Sequence, residues 1–209
     1  MHSQTDRAGA DARHAAGIRA RAVVIAGPPA SGKTTLGAAL AHALHHAFID
    51  LDIVTGPMTR AALALAGADE TALDGELGAR LRDARYGALL DTAAVNLALG
   101  HGVVLTGPFT RERTDPARWD ALRERLSCPD ATLICLELDE ELRVRRMETR
   151  GAARDRAKVR TDASEPRDSL ATGPSDAIRL DGGGDPRDVL SAALTALDAA
   201  PPHPSPRRC

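Results

Sequence analysis

Aromatic side chains are almost missing from this chain of 209 residues: Phe48, Tyr86, Phe109 and Trp119 are all it has. That excludes a base-stacking platform for single-stranded nucleic acid, which needs several aromatic faces. A bound adenine would have to lie on an arginine plane or on aliphatic carbons. Net charge is nearly absent too. Lys and Arg number 27 against 29 Asp and Glu, a formal charge of −2, so no global field draws the protein to nucleic acid or to acidic membranes. Cysteine is scarce, and Cys128, Cys135 and Cys209 form no metal-ligand spacing. An odd count of this kind suits a reducing compartment, and a cytoplasmic location is expected. No apolar run approaches the length of a membrane span.

The first 20 residues carry several arginines but no apolar core, so they read as a flexible leader and not as a secretory signal. The last stretch, 200–209, is proline-rich and reads as a frayed tail. Between them, 21–199 reads as one domain. Short apolar runs at 22–27, 47–52, 102–107, 131–138 and 177–184 predict buried strands. They alternate with helical stretches at 33–46, 57–66, about 75–99, 115–126, 139–150 and 186–197. Asp115-Pro116 opens one helix and Asp139 caps another. The alternation predicts an α/β sandwich with helices on both faces of a mainly parallel, five-stranded sheet.

The most informative segment is "VVIAGPPASGKTTLGAALAHAL", residues 23–44. Gly27, Gly32, Lys33 and Thr34 fit G-x-x-x-x-G-K-[ST], placed between a predicted strand and a predicted helix, which is the setting a P-loop requires. Glycine is needed there because a side chain would obstruct close approach of the backbone to phosphate oxygens. The loop Gly27, Pro28, Pro29, Ala30, Ser31, Gly32, Lys33, Thr34 and Thr35 is therefore the expected nucleotide cradle. Lys33 supplies a point charge to the β- and γ-phosphates, and Thr34 a hydroxyl to Mg2+. ATP is favoured over GTP because no guanine-reading N-K-x-D pattern occurs.

"FIDLD" ends the second predicted strand with two acids, Asp50 and Asp52, at the sheet edge where open α/β sheets bind ligands. Alternation along a strand would place both on one side. One can help hold Mg2+ and the other can take a proton from an attacking hydroxyl. Asp52, further from the sheet, is the candidate base and Asp50 the candidate metal ligand. The alternative is that both merely end the strand and cap the next helix.

Together "GPPASGKT", "FIDLD", "VLTGPF" and "ELRVRRMETRGAARDRAK" resemble the small P-loop kinases of the shikimate kinase and gluconate kinase type. They are also similar to the chloramphenicol phosphotransferase and zeta-toxin branch, generically described as AAA-family ATP-binding proteins. The similarity runs from about residue 23 to 197. It implies a P-loop NTPase fold, an acceptor contact at Asp52, a metal-side role for Asp50, and an acceptor pocket faced by Gly107. It also implies an arginine-bearing lid, here at about 145–160. Arg150 and Arg154, on either side of Gly151, are the leading candidates among Arg145, Arg146, Arg150, Arg154, Arg156 and Lys158 for stabilising charge on the transferred group. Basic runs are also commonly solvated helix faces.

Arg60 and Arg111 are weaker acceptor candidates. Trp119 and Tyr86 are assigned to packing, and His42, His45 and His46 to solvated surface. Strand three ends in Thr106 where a hydrolytic ATPase would carry an acid, which weakens motor readings. The stretch 161–176 reads as loop where the similar families would carry a helix. The expectation is a Mg-ATP-dependent kinase, monomer or homodimer, that phosphorylates a hydroxyl of a small molecule. A nucleoside, nucleotide or nucleotide-sugar acceptor is one alternative. A non-catalytic ATP-binding module that regulates a partner is another, and the missing helix after the lid would favour it.

Overall fold

The computed structural model describes residues 21–69, 72–73, 75–150 and 173–200, with Arg150 described for its backbone only. Among the described residues there are five strands and six helices. The order is β1 (Ala22–Ala26), α1 (Lys33–Leu44), β2 (Ala47–Asp50), α2 (Leu51–Leu65), α3 (Glu76–Ala98), β3 (Val103–Thr106), α4 (Pro116–Leu126), β4 (Thr132–Glu137), α5 (Glu140–Arg150), β5 (Ile178–Asp181) and α6 (Pro186–Ala199). The sheet order is β2-β3-β1-β4-β5, and every pairing is parallel. This is the expected α/β P-loop architecture.

Parallel strands covered on both faces read as continuous apolar runs. β1 does so from Ala22 to Ala26, every residue buried. Its side chains alternate between two cores. Val24 joins one with Leu89, Leu90, Ala93 and Leu97 of α3 and with Trp119, Leu122 and Leu126 of α4. Val23 and Ile25 join the other with Leu36 and Leu40 of α1 and with Ala193 and Leu197 of α6. The sheet is thus the middle of three layers, and the carboxyl ends of β1, β2 and β3 open on one edge.

Capping fixes where the helices begin. Asp115 and Asp185 each accept an N–H from the first turn and are followed by proline, which loses nothing at a position where its missing donor has no helical partner. Asp139 accepts from Glu141 N at 2.9 Å and opens α5. One boundary differs from expectation. β2 stops at Asp50, and α2 starts at Leu51 with no intervening loop, so "GP" at 56–57 does not precede the helix but lies within it. Pro57 is on the exposed side of the helix. The cap supplied by Asp50 outweighs the local break signal.

α1 lies close to the sheet because residue 37 is glycine. A Cβ there would come within 2.7 Å of Phe48 Cε2 and would also strike Thr106 Cγ2. Thr106 cannot rotate away without giving up a 2.6 Å hydrogen bond from its hydroxyl to Asp50. Gly37→Val should therefore lower unfolding free energy by about 1–3 kcal/mol through overpacking. Urea unfolding measures it; an unchanged midpoint would mean that α1 can shift outward at no cost.

Candidate active site

The loop between β1 and α1 wraps back on itself as phosphate binding demands. A Cβ on Gly27 would lie 2.7 Å from the Leu136 carbonyl oxygen and 2.9 Å from Ser31 Oγ, so a side chain has no room. Gly32 adopts φ 91° at the N-cap of α1, with open space above it. Only glycine takes that conformation cheaply while leaving the first N–H groups of the helix uncovered for an anion. Ala30 also holds a positive φ, 63°, a strained geometry of the kind that clusters at ligand sites. Lys33 Nζ donates to Pro28 O at 2.5 Å and lies 3.5 Å from Ser31 Oγ. The ammonium therefore folds over the loop it belongs to.

Asp50 is the point at which three elements meet. Its Oδ2 accepts from the Thr34 hydroxyl of α1 at 3.0 Å and from the Thr106 hydroxyl of β3 at 2.6 Å. Its Oδ1 accepts from Asp52 N at 2.9 Å and Ile53 N at 3.0 Å, capping α2. The residue is buried, 7% exposed. Magnesium prefers hard oxygen donors and one or two carboxylates beside phosphate oxygens. The pairing of Thr34 Oγ1 with Asp50 Oδ2 is a donor set of that chemistry.

Asp52 is placed differently from the expectation. It does not extend the strand on the same side as Asp50; it occupies the first turn of α2, with its side chain 63% exposed. There it receives Arg85 Nη2 at 2.5 Å, while Arg85 Nε donates to Thr55 Oγ1 at 2.9 Å. Arg85 comes from α3, and its side chain is only 13% exposed. Sequence reasoning did not find Arg85. Its separation of 33 residues from Asp52 has no pattern; the one available signal was its place on the helix that returns to the sheet.

The glycine after β3, Gly107, is buried, and a Cβ there would touch the Phe109 ring at 3.2 Å and Leu51 at 3.5 Å. Phe109 is fully buried with φ 42°. Its N–H donates to the Tyr86 hydroxyl at 2.9 Å, and the two rings meet edge to face at 5.3 Å. Tyr86 therefore packs as expected and also anchors the β3–α4 loop. Burial pushes its phenol up to about 12, so it stays protonated. Burial raises the Glu112 carboxyl in the same loop as well. Trp119 is buried among the α3 and α4 leucines.

Arg60 and Arg111 are exposed. His42 and His45 are exposed, and among the described residues no group of three His, Cys, Asp or Glu could hold a metal ion.

Of the basic run that opens the expected lid, Arg145 is exposed and pairs with Glu141 at 3.1 Å. Arg146 instead turns inward. It donates to Gly182 O at 2.8 Å, Gly183 O at 3.2 Å and the P-loop carbonyl of Ala30 at 3.3 Å. A cleft of about 400 Å³ opens beside it between Ser31, Thr149, Pro186 and Val189, with Leu136 on its wall. The Arg150 side chain, and Arg154, Arg156 and Lys158, lie outside the described residues. So do the leader, the tail beyond residue 200 and most of 161–176.

The AAA domain family model matches residues 23–167. Solved structures with the same fold include a gluconokinase from Sinorhizobium meliloti 1021, 21% identical over 85% of this chain and 91% of that chain, TM-score 0.56. A sugar kinase from Janibacter sp. HTCC2649 is 25% identical, covering 87% and 96%, TM-score 0.57. A shikimate kinase from Acinetobacter baumannii, solved in complex with shikimate, is 22% identical, covering 89% and 97%, TM-score 0.59. No curated protein matches the sequence.

Asp50→Ala removes a helix cap and leaves two hydroxyls short of an acceptor. It should cost about 2–3 kcal/mol of stability with no nucleotide present. Chemical denaturation of the ligand-free protein tests this, and a loss under about 0.5 kcal/mol, the range of ordinary surface substitutions, would deny Asp50 its structural part.

Proposed function

This chain belongs to the AAA domain family, and on that premise we propose that it is a Mg-ATP-dependent kinase that phosphorylates a hydroxyl of a small molecule. The observation that carries the reading is the arrangement around Asp50. The P-loop helix, the end of β3 and the start of α2 converge on one carboxylate, and a second carboxylate, Asp52, stands two residues further out. Hydrolytic P-loop ATPases hold their metal through an acid on the Walker B strand; here that strand ends in Thr106, a partner of Asp50. The likeness to a sugar kinase at 25% identity over nearly all of both chains supports the same class.

In this reading the Gly27–Gly32 loop and the first N–H groups of α1 bind the phosphates, and Lys33 swings from Pro28 O to the transferred group. Thr34 and Asp50 would hold Mg2+, which neutralises phosphate charge when bound. Asp52 accepts the proton of the attacking hydroxyl. Arg85 orients Asp52 through the paired bonds to Asp52 and Thr55, so the acceptor must approach a carboxylate already fixed in direction. Gly107, at the end of β3, faces the acceptor in this reading, with the buried Phe109 ring packed behind it. Arg146, Pro186, Val189 and Leu136 offer an arginine plane and aliphatic carbons to an adenine, consistent with a chain so poor in aromatics. Arg150 and Arg154 remain the proposed lid arginines.

Acceptor-dependent ADP release across a panel of polyols, sugar acids, nucleosides and hydroxylated antibiotics tests the proposal. One acceptor should stand well above basal hydrolysis. With that acceptor, Lys33→Met should lower kcat by about 10²–10³-fold, and Asp52→Asn by at least about 10²-fold with ATP binding retained. A flat panel from a protein that binds ATP tightly would favour the regulatory module; normal turnover in Asp52→Asn would remove Asp52 as base.

A further inference from the structure

α2 is buried along one face only. Leu51, Thr55, Thr59 and Leu63, four residues apart, turn inward. Beside this row, about 110° round the helix, Val54, Met58, Ala61 and Leu65 follow each other at helical spacing, and all are exposed. Val54 is 40% exposed, Met58 75% and Leu65 91%. Ile53, 62% exposed, and Pro57 widen the strip. A surface helix ordinarily turns charged and polar residues to water. Here Asp52, in the first turn, and Arg60 are the charged residues of the helix, and neither lies within the strip.

We propose that this face binds a second copy of the same chain, with the two α2 helices packed antiparallel about a twofold axis. The pattern complements itself. With the axis between residues 59 and 60, Met58 of one copy lies opposite Ala61 of the other, and Val54 opposite Leu65. A bulky residue meets a small one in the first of these pairs, as ridge-into-groove packing favours. An isologous contact of this kind closes on itself and stops at two copies.

The area fits a reversible dimer. The strip exposes on the order of 500 Å² of apolar surface, within the range of patches that mark interaction sites. Two strips laid together bury about 1,000 Å², the lower bound for a specific interface. Both Arg60 side chains flank the axis on the same margin, so their mutual repulsion is screened by salt while apolar burial is not. Salt therefore strengthens this association. The inference stands apart from the catalytic reading and survives its failure.

Sedimentation velocity of the full chain tests it. The wild type should pass from monomer to dimer between about 1 and 100 µM, as expected for a small reversible interface, and shift further toward dimer at high salt. Met58→Glu and Leu65→Glu should each weaken dimerisation more than about tenfold by burying a charge, with unchanged thermal midpoints. Val95→Glu, in α3, and Leu99→Glu, just after it, both at exposed apolar positions, should leave it intact. The register has its own check that does not depend on charge insertion. In a Cys209→Ser background, Ala61→Cys should be joined to its mate by a short bismaleimide. Leu65→Cys, about 16 Å along the axis from its mate, should not. A wild type that stays monomeric throughout overturns the proposal, as does a dimer indifferent to Met58→Glu and Leu65→Glu. So does a monomer in which deletion of residues 1–20 exposes the strip to an apolar dye, which would assign the face to the chain's own leader.

Discussion

Four hydrogen bonds to one carboxylate hold the working edge of this protein together. Asp50 joins the hydroxyl of Thr34, at the start of α1, to that of Thr106, at the end of β3, and caps α2 with its other oxygen. Each bond alone contributes about 1 kcal/mol. Their collective effect is geometric. The phosphate loop, the neighbouring strand end and the helix that carries the candidate base take their relative positions from the same buried group. A buried carboxylate with fewer partners would be costly, so the arrangement is self-enforcing.

Close packing around this point explains the small residues nearby. Gly37 lets α1 sit against Thr106 and Phe48, and Gly27 lets the phosphate loop pass the Leu136 carbonyl. Strain accumulates on the same edge, at Ala30 in the loop and at Phe109 after β3. Phe109 is kept there by full burial and by the Tyr86 hydroxyl. The fold thus places two unfavourable backbone conformations where the surrounding contacts can hold them, next to the surface on which a ligand would sit.

α2 has two faces with different obligations. Its inner side and first turn serve the site, through Leu51, the Thr55–Arg85 bond and Asp52. Its outer side serves nothing among the described residues of the same chain, yet it is apolar. A helix that both carries the candidate base and offers a contact for a second copy would couple assembly to the position of Asp52, since the two faces belong to one rigid element.

Much of the molecule was written into local patterns. β1, α1 and the loop between them follow from an apolar run, a glycine signature and a helical repeat that lie within about 20 consecutive residues. The Asp-Pro starts of α4 and α6 are equally local, because capping involves only neighbouring residues. The start of α2 was not legible: Gly56-Pro57 signals a break, and only the cap from Asp50 and the tertiary contact with α3 let the helix run through it. The pairings that complete the site were hidden for the same reason. Thr106 is 56 residues from Asp50, Arg85 is 33 from Asp52, and Arg146 is 116 from Ala30. Such partners are chosen by the order in which strands pair and helices return, which no spacing along the chain encodes. The sequence by itself determined the phosphate loop and the class of fold, because both rest on short-range periodicity and backbone freedom. The tertiary structure alone decided which carboxylate is buried as a hub, which is left at the edge, and which arginines reach them.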